Sequence, residues 1–189
     1  MMEGIRIRSS RFTSEGSRLV DLTLGVEHES GAGAYIAYPY QVDRLAEEHA
    51  DAFGIFLLVR LSSWDGEKVS LLYEPRTVPF FGGDGCLVDL AAGYGDRQEI
   101  ESLAILSGAR REAHSLGLPV VCRVIFNPGP YLEDIANCLS VPLTIAEEMG
   151  ADVIILPEVA EGELARLRRP MVPYFRTVTE GIYESRPIC

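Results

Sequence analysis

The residues able to do chemistry in this chain stand where short apolar runs end. Glu27 and His28 follow the run Leu19 to Val26, and Glu74 follows Val69 to Tyr73. Tyr94 and Asp96 follow Gly85 to Ala92, Asn127 follows Pro119 to Phe126, and Glu158 follows Ala151 to Leu156. A carboxylate beside an imidazole serves as general base and general acid once burial brings their pKa values toward neutrality. Glu27 as base, with His28 or Tyr94 as acid and Asp96 beside them, is the catalytic set these residue types suggest. A structural reading stays open: Glu27 as a strand-end carboxylate paired with Arg60 or Arg123, and His28 as a satisfied core histidine.

Arg123 interrupts the otherwise apolar run Val120 to Phe126. A buried guanidinium needs a carboxylate partner or an anionic ligand. Asp89, in the preceding apolar run, is the natural partner; an anchor for an anionic substrate is the other reading. Asn127 and Glu158 complete the expected substrate-binding set of Arg123, Asn127, Glu158 and Asp89. Glu27, His28, Asp89 and Glu158 could supply metal ligands, but no ligand spacing motif supports that, and neither a metal nor a cofactor is expected. Of 17 basic residues all but Lys68 are arginine. Lys68 lies in a polar turn beside Asp65 and Glu67, which favour its charged form and count against it as an amine nucleophile.

These groups need a scaffold, and 189 residues with 47% hydrophobic content are enough for a core, read here as one domain over 1–189. The apolar runs are β-branched and nearly continuous, as in strands covered on both faces. Helical periodicity lies between them at Arg97 to Ser115, closed by Gly117 and Pro119, and at Tyr131 to Glu148, closed by Gly150. Strand alternating with helix at roughly 30-residue intervals marks βαβ units and a parallel sheet. No GxGxxG and no GK[ST] occurs, so the glycine clusters at Gly31 to Gly33 and Gly82 to Gly85 read as loops.

A net charge of −11 repels phosphate backbones and anionic membranes, so neither nucleic acid nor membrane is an expected partner. No stretch reaches the roughly 18 apolar residues of a membrane span, and a cytoplasmic location is expected. Cys86, Cys122, Cys138 and Cys189 form no CxxC pair and are expected as free thiols.

Four stretches, in this order and spacing, carry a family resemblance. They are Val26-Glu27-His28, Gly95-Asp96-Arg97-Gln98-Glu99, Gly117-Leu118-Pro119-Val120-Val121, and Glu147 to Ile154 with its Met-Gly-Ala-Asp core. Together they resemble the class I aldolase family of archaeal-type fructose-bisphosphate aldolases. The resemblance implies a TIM-barrel-like (β/α) fold, truncated here to six or seven parallel strands, with its site at the C-terminal strand ends, where the residues named above would converge. It also implies a Schiff-base lysine at the position held by Ile155 and a phenol where Ile125 and Phe126 stand, while Glu27 replaces an aspartate.

Two functions follow. One is an aldolase-like lyase, isomerase or cyclase of specialised biosynthesis, acting on a small, anionic metabolite by acid/base groups without an imine. The other is a non-catalytic pseudo-aldolase that binds a metabolite or a partner protein. A sheet that fails to close would leave strand edges unpaired, so a homodimer is expected. The apolar stretch Leu164, Leu167, Met171, Val172, Tyr174 and Phe175, with Ile182 and Tyr183, would serve as the interface or pack on its own chain.

Overall fold

The computed structural model describes residues 6–9, 34–39, 56–129, 134–167, 170–172, 174–179 and 182–185. Its strands are β1 (Arg6–Ser9), β2 (Ala34–Ala37), β3 (Phe56–Arg60), β4 (Ser62–Trp64), β5 (Val69–Leu71), β6 (Gly85–Ala92), β7 (Val120–Phe126), β8 (Val153–Leu156), β9 (Tyr174–Thr179) and β10 (Ile182–Ser185). The described helices are α1 (Asp96–Ser115), α2 (Ile135–Glu148) and the short α3 (Glu161–Arg166), with a 3₁₀ turn at Pro75–Phe81.

Eight strands close a barrel in the order β1-β10-β9-β8-β7-β6-β3-β2. The pairs from β1 through β2, β3, β6, β7 and β8 to β9 are all parallel. β10 is antiparallel to both β9 and β1. The fold is therefore an α/β, TIM-barrel-like one with seven parallel strands, as expected. The barrel closes within the chain, because a hairpin strand occupies the gap where an eighth parallel strand would stand. With both edges paired, the edge-based reason for a homodimer falls away. Leu164 and Leu167 are buried in the main core, and Val172 and Tyr174 pack against it.

The helices end as their glycines dictate. Gly117 (φ 71°) and Gly150 (φ 84°) adopt the left-handed conformation. Leu118 N–H donates to the Ala113 carbonyl and Ala151 N–H to that of Ala146, at 3.0 Å each, which satisfies carbonyls that have run out of helix. The buried stripe of α1 is Ser102, Leu106, Ala109 and Ala113, while Ile100 faces outward.

One correction concerns Val69 to Tyr73, expected as a barrel strand. Val69–Leu71 instead pairs antiparallel with Ser62–Trp64 in a hairpin outside the barrel sheet. Periodicity could not separate the two, because a short apolar run fits either role. Glu74 consequently precedes the 3₁₀ turn and forms an exposed ion pair with Arg76. The run Leu19 to Val26 lies outside the described residues.

The hairpin has a consequence for the site. β3 pairs with β6 only from Leu58 to Arg60 and then veers away. The rest of that β6 edge would be left with orphaned donors, each costly if buried. Side chains take them instead: Ser62 Oγ accepts from Asp89 N–H (2.7 Å), Ser102 Oγ from Ala91 N–H (3.2 Å) and a Glu99 carboxylate oxygen from Gly93 N–H (2.7 Å).

Candidate active site

Alternation along adjacent strands separates inside from outside. Ile36, Leu58, Leu87, Val121 and Ile155, from five adjoining parallel strands, form an apolar cluster apart from the main core and fill the barrel interior. Two residues further toward the C-terminal ends, the same inward face carries Tyr38, Arg60, Asp89 and Arg123. An apolar layer thus supports a charged one.

Asp89 is fully buried and holds two guanidinium groups. Its Oδ1 accepts from Arg123 Nε at 2.7 Å, and its Oδ2 accepts from Arg60 Nη2 at 3.3 Å. The side chains of Arg60 and Arg123 are only 11% and 19% exposed. Arg60 also donates through Nε to the Ser62 carbonyl (2.9 Å), and its guanidinium carbon lies 5.0 Å from the Tyr38 ring centre, within cation–π range. Asp89 and Arg123 are direct register partners on β6 and β7, which is why the expected ion pair forms. The part of Arg60 was missed. Its signal was present: an apolar residue followed two positions later by a charged one recurs in Leu58–Arg60, Leu87–Asp89 and Val121–Arg123.

Ile155 is the register partner of Arg123 on β8 and is fully buried in the interior cluster. The position where the resemblance implied a Schiff-base lysine is thus inside the barrel and apolar. Phe126, by contrast, packs against the main core outside the barrel.

The other expected residues are dispersed. Tyr94 is half-buried, its ring 4.4 Å from that of Trp64 and tilted by 53°, and burial pushes its phenol above the usual value. Asp96 is exposed on the first turn of α1, and Glu158 is exposed after β8. Neither joins the Asp89 cluster. Asn127 closes a local turn, its side-chain oxygen accepting from Gly129 N–H at 3.0 Å. Its backbone carbonyl forces Gly93 to be glycine, because a Cβ there would lie 2.3 Å from it at φ +78°. Glu27 and His28 lie outside the described residues.

Cys86, Cys122 and Cys138 are free thiols, and Cys189 lies outside the described residues. Burial pushes the Cys86 thiol up to about 12, and Cys122 is raised by the same cause, so neither is a ready nucleophile. Among the described residues, no three His, Cys, Asp or Glu side chains gather as a metal site requires, and no helix is long and apolar enough to cross a membrane.

No family model and no curated protein matches the sequence. Solved structures do match. A fructose-bisphosphate aldolase from Slackia heliotrinireducens DSM 20476 superposes with a TM-score of 0.59 at 18% identity, over 75% of this chain and 51% of its own. An archaeal fructose 1,6-bisphosphate aldolase gives 0.60 at 19% identity, over 78% of this chain and 61% of its own. The fold is a TIM barrel, as in these aldolases. A phosphonomutase described as putative, from Burkholderia cenocepacia J2315, shares the barrel more distantly, with a TM-score of 0.53 at 17% identity over 81% and 72% of the two chains. The chain thus spans about half to three-fifths of the two aldolases' length. In this barrel, Asp89, Arg60 and Arg123 lie toward the C-terminal strand ends, the end at which TIM-barrel enzymes place their chemistry.

Proposed function

We propose that this chain is a lyase-like TIM-barrel enzyme, an aldolase-type lyase, isomerase or cyclase, that acts on a small anionic metabolite by acid/base chemistry without a Schiff base. One observation carries the reading: a fully buried carboxylate holding two arginines in the barrel interior, beside Ile155. Burying three charges costs several kcal/mol per ion before pairing returns any of it, and a barrel core of Ile, Leu and Val needs no such cluster. Strongly desolvated charge in a barrel mouth is the pattern of a binding site for charge. Arg123 and Arg60 anchor the anionic group in this reading. Glu27 is the base, and Tyr94, whose half-buried phenol keeps its proton to higher pH, or His28 is the acid. The dispersal of Asp96 and Glu158 favours the second reading, a pseudo-aldolase that binds its metabolite without turning it over.

Solvent-deuterium exchange, followed by NMR over a panel of keto acids and sugar phosphates, tests the first reading. Exchange at the carbon next to the carbonyl is expected with wild type and is lost in Glu27→Gln with the fold intact. An unchanged rate in Glu27→Gln removes Glu27 from the mechanism, and binding without exchange across the panel selects the pseudo-aldolase. Borohydride trapping should yield no covalent adduct.

A further inference from the structure

Among the described half-buried aromatic rings, three stand apart from both apolar cores. Tyr73, Phe81, Phe126 and Tyr174 pack against the main core, whereas Tyr38, Trp64 and Tyr94 belong to neither cluster. All three are half-buried, and each follows the C-terminal end of a different parallel strand: Tyr38 after β2, Trp64 in the hairpin after β3, and Tyr94 after β6. They are connected. The Tyr38 hydroxyl lies 3.4 Å from Ser63 Oγ, Ser63 adjoins Trp64, and Trp64 meets Tyr94 at 4.4 Å. Arg60, under the Tyr38 ring, ties this arc to Asp89 and Arg123.

Trp64 is the only tryptophan of the chain. A ring of that size contributes most to stability when fully buried, yet it sits on a three-residue strand at the catalytic end. That strand is half of the hairpin that follows β3, and from it Trp64 meets Tyr94. Aromatic faces recognise flat π-systems, and guanidinium groups recognise carboxylates in a planar fork. Arg60 has five donors and gives Nε to the Ser62 carbonyl and Nη2 to Asp89, which leaves donors for a ligand carboxylate.

We propose that the site takes a planar carboxylate, an aromatic or conjugated ring bearing a carboxyl group, with the ring against Trp64 and Tyr94 and the carboxylate toward Arg123 and Arg60. This rests on the reading of the arginine layer as an anion site and adds the ring to it. The aromatic arc selects flat carboxylates over saturated ones and over phosphate.

Calorimetric titration of the full chain with benzoate, cyclohexanecarboxylate and inorganic phosphate tests it, with Trp64 emission as a second readout. Benzoate is expected to bind about tenfold or more tightly than cyclohexanecarboxylate and to change Trp64 emission saturably. Trp64→Leu should bring benzoate affinity down to that of cyclohexanecarboxylate, and Arg123→Met should abolish binding of both. Equal affinity for the two carboxylates, or binding of phosphate alone, overturns the planar-carboxylate inference and leaves the anion site standing. Binding of none of the three overturns both.

Discussion

The two ends of the barrel use the same residue type in opposite ways. At the N-terminal end, Asp84 and Asp152 each bridge to the first residues of a neighbouring strand. Asp84 accepts from Leu57 N–H at 2.9 Å, and Asp152 accepts from Val120 N–H at 2.8 Å. Their own N–H groups donate to the Leu57 and Val120 carbonyls. Both carboxylates face water: Asp84 is exposed, and Asp152 is 40% exposed with Arg110 3.6 Å away. At the C-terminal end Asp89 is fully buried and carries two arginines. A wetted carboxylate that satisfies a strand donor costs little to place, whereas a buried one costs several kcal/mol of desolvation. The lower end is built for stability and the upper end for charge.

The largest break in that contrast is expected from Asp89→Ala, which strands two guanidinium groups in the interior. It should lower unfolding free energy by about 3–5 kcal/mol in urea denaturation. A loss no greater than that of a surface variant would mean the arginines find other partners, and the upper end would lose its special status. Asp152→Ala should cost about 1 kcal/mol, because water replaces the lost oxygen, and should leave anion binding at the other end unchanged.

The smallest effect at neutral pH belongs to the wall between the ends. Cys86, opposite Val59 and Val120, has its thiol raised from near 9 to about 12 by burial and, secondarily, by the negative charge of Glu112. Between those values the unfolded chain gives up the proton and the folded chain keeps it, so stability falls as pH rises. Urea midpoints measured from about pH 8 to about pH 10.5 should therefore drop, and less steeply in Cys86→Ala. Identical slopes would show that Cys86 does not set the alkaline limit.

Much of the wall is legible in the sequence. β6, β7 and β8 are apolar runs bounded by glycine-capped helices, and each fell within a residue or two of its expected bounds. The Asp89–Arg123 pair was legible because adjacent buried parallel strands leave a lone arginine few partners. β1 and β2 were not. Each has four residues, and Arg6-Ile7-Arg8-Ser9 alternates charge with a single apolar residue, a pattern that reads as surface until its neighbours are known. Among the site residues, Asp96 and Glu158 were placed by their position after apolar runs, which says where a loop begins and not where its side chain turns.

By itself the sequence determined what is local: the periodicity that sorts strand from helix, the glycines that end α1 and α2, the scarcity of lysine, and an isoleucine at position 155. Those properties act within one or two turns of chain, and neighbouring residues suffice to read them. Tertiary structure alone decided the rest. It closed the barrel through β10, split β3 from β6, placed Arg60 on Asp89 29 residues away, and laid Trp64 against Tyr94. The reason is register: a strand paired one residue out of step turns every side chain to the other face, and only the assembled sheet sets that step.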